Sequence, residues 1–179
     1  MDSDDLGACC QHQIDYAMHW SQIGRILILL TIGNGAPVIA QKLFGSRWSR
    51  PLDAGRIWRD GQPVLGASKT VRGVICSILA TMIVAPLIGV NWKIGLEIGV
   101  AAMVGDIFSS FVKRRLGIRA SERATGLDQV PESLLPALLC AYEFELNWPD
   151  VVIIMGIFFV GEIALSQLLY TLRIRMRPY

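Results

Sequence analysis

The chain has 179 residues, 53% of them hydrophobic and only 18% charged, with a mean hydropathy of +0.45. That balance excludes an ordinary water-soluble domain, in which about a quarter of the residues are charged. Apolar runs near the length of a membrane crossing make the chain an all-α, polytopic membrane protein. The formal net charge of +2 says little by itself; the positions of the charges carry the information, and no nucleic-acid partner is expected.

Residues 1–22 read as an interfacial or extracytoplasmic segment and residues 23–179 as one membrane domain. The first residues, Met1-Asp2-Ser3-Asp4-Asp5, are acidic where a secretory signal is basic. Cys9, Cys10, Cys76 and Cys140 have no metal-ligand spacing, and the last two lie in apolar runs as small hydrophobes. His12 and His19 read as interfacial polar residues. Five spans follow, at residues 23–43, 71–90, 94–112, 130–146 and 151–172. The first contains Gly33-Asn34-Gly35-Ala36-Pro37, which reads as an interrupted helix. Broken backbone is tolerated in a bilayer only against protein or a water-filled cavity, so Asn34 is a candidate to line a site. The turns at 89–93 and 147–150 are short, and their Trp92 and Trp148 suit the membrane interface, as Tyr16 and Trp20 do. Small residues recur at four-residue spacing, as Ser77/Thr81/Ala85, Gly95/Gly99 and Ala101/Gly105/Ser109, which lets helices approach closely.

Lysine and arginine set the orientation. Arg47, Arg50, Arg56, Arg59, Lys69 and Arg72 lie between the first two spans. Lys113, Arg114, Arg115, Arg119 and Arg123 lie between the third and fourth, and Arg173, Arg175 and Arg177 end the chain. The positive-inside rule then puts the N-terminus outside, and both long loops and the C-terminus in the cytoplasm, at the cell membrane. An oligomer is possible.

The chemistry concentrates in those two loops. The first carries Asp53-Ala54-Gly55-Arg56, Asp60-Gly61 and Leu65-Gly66-Ala67-Ser68-Lys69-Thr70-Val71-Arg72-Gly73. Its glycines let backbone N–H groups approach a phosphate, and a helix N-terminus favours an anion. Lys69 and Arg72 add charge, with arginine able to fork two oxygens. A phosphate-binding P-loop is excluded, because Lys69 does not directly follow a glycine and no strand pattern precedes it. In the third span, Asp106, Ser110, Lys113/Arg114 and Gly117 share one helical face. Asp106 sits about 10 Å below the basic cluster along the axis. An acid within a span is costly in hydrocarbon, so its default reading is a functional site. Asp106 and Asp128 are the candidates to share a Mg²⁺, which takes one or two carboxylates and completes its shell with water and substrate phosphate. Two simpler roles stand beside this: Asp106 pairing with Lys113 or Arg114, and Asp128 capping the fourth helix with Glu132 in its first turn. Glu162, with Ser166 and Gln167, lies within the fifth span. Glu97, Glu143 and Glu145 read as interfacial acids at outer helix ends.

Four ordered motifs resemble the CDP-archaeol synthase family, a branch related to the phosphatidate cytidylyltransferases. They are Asn34-Gly35-Ala36-Pro37; Asp60-Gly61 followed by Leu65-Gly66-Ala67-Ser68-Lys69-Thr70-Val71-Arg72-Gly73; Gly105-Asp106 through Ser110 and Lys113-Arg114-Arg115 to Gly117; and Asp128-Gln129. The resemblance implies a five-span enzyme with two cytoplasmic catalytic loops. It would transfer CMP from CTP to a membrane lipid phosphate, releasing pyrophosphate with Mg²⁺. By position, Asp106, Asp128 and Lys113 would be catalytic, with the two aspartates holding metal. Lys69, Thr70, Arg72, Gly73, Lys113 and Arg114 would contact phosphate or nucleotide, with Ser110, Gln129 and Asn34 as polar supports. The chain lacks the Lys-Asp pair and the Pro-Gly-His-Gly-Gly tail of the phosphatidate enzymes, and the implied lipid is of archaeol or diacylglycerol type. A small transporter, or a membrane scaffold without activity, is the alternative, since Asp106, Glu162 and Asn34 would also serve a pathway through the bilayer.

Overall fold

In the computed structural model the described residues are 19–45, 47–119 and 126–171. The acidic first residues, Cys9, Cys10, His12, Arg123 and the three C-terminal arginines lie outside them. Five helices follow in order: α1 Trp20–Phe44, α2 Val71–Leu87, α3 Trp92–Arg115, α4 Gln129–Cys140 and α5 Trp148–Thr171. Among the described residues the only extended pairing is two isolated bridges, Pro51 with Thr70 and Ile57 with Pro63.

Local chemistry fixes the helix ends. Thr70 caps α2, its hydroxyl oxygen accepting from the Gly73 N–H at 3.1 Å, and Asn91 caps α3 by accepting from the Lys93 N–H at 3.0 Å. Lys113, Arg114 and Arg115 fill the last turn of α3, where cations meet the negative end of the helix dipole.

The helices run alternately up and down. Gly33 and Pro37 of α1 face Ser77 and Gly73 of α2, and Arg25 lies beside Gly89 just after α2, so these two are antiparallel. His19 before α1 pairs with Asp150 in the first turn of α5 at 2.8 Å, so those helices start at the same end. This bond gives His19 a partner 131 residues away, which no local pattern announces. Trp20, Trp92 and Trp148 are exposed at the starts of the three parallel helices and form an aromatic belt at that end. Ile26, Leu30, Ala85, Ile98, Ala137 and Ile154 bring all five helices into one core.

Three helices are long and apolar enough to cross a membrane, Trp20–Phe44, Trp92–Arg115 and the Trp148–Gln167 part of α5, while Val71–Leu87 is shorter. Two sequence expectations change here. The Gly/Pro stretch does not interrupt the first span: α1 runs continuously through Pro37, and its neighbour α2 covers the weakened stretch. The fourth span is shorter than 130–146. Helix α4 has 12 residues, about 18 Å at 1.5 Å per residue against a hydrocarbon core of about 30 Å. A turn follows at 141–145, where the exposed Glu143 and Glu145 stand, and Phe144 folds back into the core.

Glycine determines how close the helices lie. A Cβ on Gly95 or Gly99 would strike Thr81, and on Gly95 also Ala85, so α3 rests on α2 along the predicted small-residue rows. A Cβ on Gly105 would enter the backbone of Pro131 and Glu132. The start of α4 therefore presses directly on α3 beside Asp106.

Candidate functional site

The first loop is ordered around one carboxylate. Asp53 accepts from the N–H groups of Leu65 and Gly66, both at 2.9 Å, and of Gly55 at 3.0 Å. Burial pushes its carboxyl up, but the backbone donors outweigh that and hold it below the usual carboxylate range. Hydrogen bonds from Leu52 to Lys69 and from Val71 to Arg50 zip the two ends of the loop together. An inner hairpin pairs Arg56 with Val64 and turns at Gly61, whose φ is +78°. Folded this way, the loop delivers Lys69 to α3.

There the two loops meet. Lys69 Nζ donates to the Asp106 carboxylate at 2.5 Å, and Lys113 lies 2.7 Å from Asp128. Asp106 thus pairs across 37 residues with Lys69 instead of with the helical neighbours Lys113 and Arg114. Asp128 makes no side-chain cap bond to α4; its carboxylate turns to Lys113 instead. Gln129, the first residue of α4, reaches back, its side-chain oxygen accepting from the Gly126 N–H at 2.8 Å. Gln129 is buried, as are Ser110, Lys113 and Arg114.

The basic residues are engaged by protein. Arg72 donates to the carbonyls of Arg47 and Gly45 and to the Gln41 side chain, closing the C-terminal end of α1. Arg114 donates to the Ile118 carbonyl. Thr70 caps α2 across Gly73, whose missing side chain leaves room for the Thr70 hydroxyl and Pro37. Asn34 lies on α1 one residue beyond Gly33, which faces Ser77. Its side-chain amide is buried without a protein partner among the described residues, as is the Ser77 hydroxyl. The lysine–carboxylate core is thus Lys69, Asp106, Lys113 and Asp128. Thr70, Arg72 and Gly73 follow Lys69 in the chain but make their contacts where α2 meets α1, and Asn34 lies on α1 beside Gly33 in that same contact.

Glu132, expected only in the first turn of the fourth helix, also belongs to the site. It is buried, and its backbone lies directly against Gly105, the neighbour of Asp106. The available signal was its spacing, since Asp128 and Glu132 stand at i and i+4 and share a face of α4. Ser133, beside it, donates to the Gln129 carbonyl at 2.7 Å. Acids and bases from the first loop, α3 and the start of α4 thus converge at one end of the bundle, an arrangement suited to holding a polyanion and its counter-cation.

Comparison with known proteins places the whole bundle. The sequence profile of the CarS-like CDP-archaeol synthase family matches residues 88–179. The CDP-archaeol synthase of Sulfurisphaera tokodaii is 32% identical, with 72% of this chain and 81% of that protein aligned. That of Pyrobaculum calidifontis is 31% identical over 83% and 91%, and that of Methanopyrus kandleri 38% over 62% and 66%. A solved chain, described as an intramembrane enzyme for archaeal membrane lipids biosynthesis, superposes with a TM-score of 0.64 at 25% identity, covering 78% of this chain and 91% of that one. A helical bundle with buried acids and bases gathered at one end, matched in this way, is a membrane-embedded enzyme and not a transporter or an inert scaffold. The chain belongs to the CDP-archaeol synthase family.

Proposed function

We propose that this chain transfers CMP from CTP to a membrane lipid phosphate of the archaeol type, releasing pyrophosphate. The observation that carries this reading is the paired arrangement Lys69–Asp106 and Lys113–Asp128, two cations and two carboxylates held together at one end of the bundle. An oxygen of the lipid phosphate attacks the α-phosphorus of CTP. A new P–O bond forms there, the bond from the α-phosphorus to the bridging oxygen breaks, and pyrophosphate leaves with that electron pair. The nucleophile is already an anion, so no side-chain base is required. Catalysis then rests on position and on charge neutralisation. Lys69 and Lys113 would neutralise phosphate oxygens, with Arg72 and Thr70 holding the loop that presents Lys69. Asn34 and Ser77 offer unsatisfied polar groups on the neighbouring faces of α1 and α2.

In this reading Asp106 and Asp128 would hold a divalent metal together with substrate phosphate. Asp106 and Asp128 each already hold a lysine ammonium, and no group of three or more His, Cys, Asp or Glu able to hold a metal occurs among the described residues. Two carboxylates without nitrogen or sulfur ligands suit Mg²⁺, which draws its remaining ligands from water and substrate phosphate. When bound, Mg²⁺ supplies further neutralisation of the phosphates.

In this reading residues 23–179 form the catalytic membrane domain, with both loops and the C-terminus on the cytoplasmic side of the cell membrane. Positive charge in both loops supports that orientation. The lipid chains then stay in the bilayer while the head group meets CTP at the boundary. Pyrophosphate release by the detergent-purified chain with CTP and Mg²⁺ tests the reading. It is offered an archaeal-type ether lipid phosphate and phosphatidic acid separately. Release that requires CTP and the ether lipid is expected; release with phosphatidic acid alone would reverse the lipid assignment, and none with either would overturn the function. Asp106→Asn is expected to abolish release while the protein still inserts, and near-normal turnover would remove Asp106 from the chemistry.

A further inference from the structure

The basic triplet at the end of α3 invites one role, phosphate binding, but its third member faces elsewhere. Arg115 Nη1 donates to Asp60 at 2.9 Å and Nη2 to the Pro63 carbonyl at 2.5 Å, both in the inner hairpin of the first loop. Its guanidinium carbon also lies 5.8 Å from the Trp58 ring centre and 5.0 Å from that of Phe111. The two rings meet edge to face at 5.6 Å. Asp60 in turn holds the hairpin, accepting from the Gln62 N–H at 3.0 Å. Arg115 thus grips the loop by charge, by a backbone carbonyl and by an aromatic face together, a combination that only a planar fork provides. The same loop ends at Lys69 on Asp106, about one and a half turns further back along α3 than Phe111 and about two and a half further back than Arg115.

We infer that Arg115 is a positioning residue: it clamps the first loop onto the end of α3 and so sets Lys69 at Asp106 for the nucleotide. It touches neither carboxylate of the core. The inference rests on the proposed function only in its last clause, since the clamp itself is a statement about where Lys69 is held.

The test uses the full chain in detergent and two independent readouts. Limited trypsin digestion, with mass mapping of the cut after Lys69, reports whether that side chain is held, whatever the protein catalyses. The KM for CTP and the kcat of pyrophosphate release report its use. In Arg115→Ala we expect cleavage after Lys69 to quicken and the KM for CTP to rise, each about tenfold, with kcat changing less. Arg115→Lys should not rescue either readout, because an ammonium cannot fork to Asp60 and Pro63 while stacking on two rings. Trp58→Ala attacks the clamp from the loop and should act in the same direction without altering any helix. Unchanged cleavage after Lys69 in both Arg115→Ala and Trp58→Ala would overturn the clamp. So would full rescue by Arg115→Lys, or an unchanged KM in an active Arg115→Ala protein. A parent that releases no pyrophosphate would refute the proposed function, and the cleavage readout alone would then decide the clamp.

Discussion

Gly105 stands where the fold and the site depend on the same atom. In Gly105→Ala the new Cβ would lie 2.6 Å from the Pro131 carbonyl carbon and 2.8 Å from the Glu132 Cα, and closer still to the Pro131 oxygen. These are backbone atoms, so no side chain can rotate away. Opening even the 2.6 Å approach to the 3.4 Å of ordinary contact means moving α4 by at least about 0.8 Å, and the oxygen demands more. Overpacking of this kind costs about 1–3 kcal/mol. The displacement also carries Asp128 and Glu132 away from Asp106, and a misplacement near 1 Å costs about a hundredfold in rate. The assay is a thermal midpoint in detergent together with pyrophosphate release, with Gly156→Ala as control. Nothing lies within 4 Å of a Cβ at Gly156, and alanine in a helix gains up to about 1 kcal/mol over glycine. The control should therefore be as stable as the parent or more so, and fully active. A Gly105→Ala protein with the stability and turnover of the parent would refute the claim that the close contact between α3 and α4 sets the site.

Other consequences follow from the loop. Removing the Asp53 carboxylate in Asp53→Asn leaves the Leu65 and Gly66 N–H groups with a weaker acceptor, and should lower the thermal midpoint at neutral pH. The folded carboxyl is held below its unfolded value, so its stabilisation is present above the unfolded value and is lost as pH falls through the folded one. The midpoint of the parent should therefore fall more steeply with acid than that of Asp53→Asn, and equal slopes would remove Asp53 from the account. Thr70→Ala should cost about 1 kcal/mol by uncapping α2, with Thr70→Ser recovering it; a denaturation series in which the two variants are equally unstable would argue against the cap.

Apolar patterning alone gives the membrane class, the five helices of the described residues and the small-residue rows along which α2 and α3 pack. Those features are local. Apolar length and four-residue spacing act within one helix, whichever neighbour it meets. The same locality drew attention to Asp106, Asp128, Lys69 and Lys113, since a charge at a membrane boundary is conspicuous wherever the chain goes. Partner choice was not local. Asp106 pairs with Lys69 across a folded loop, and Arg115 reaches back 55 residues to Asp60. Short-range spacing offered Asp106 the wrong partners, and Asp128 a capping role that it does not fill. Glu132 joins the site because Gly105 lets α4 press against α3, and α4 ends early where charged residues and a backfolded Phe144 take over. Such contacts depend on the three-dimensional path of the loops and on the distance between helix backbones. Only the tertiary structure fixes these, because a salt bridge or a steric limit acts over a few ångströms of space and not over any fixed number of residues.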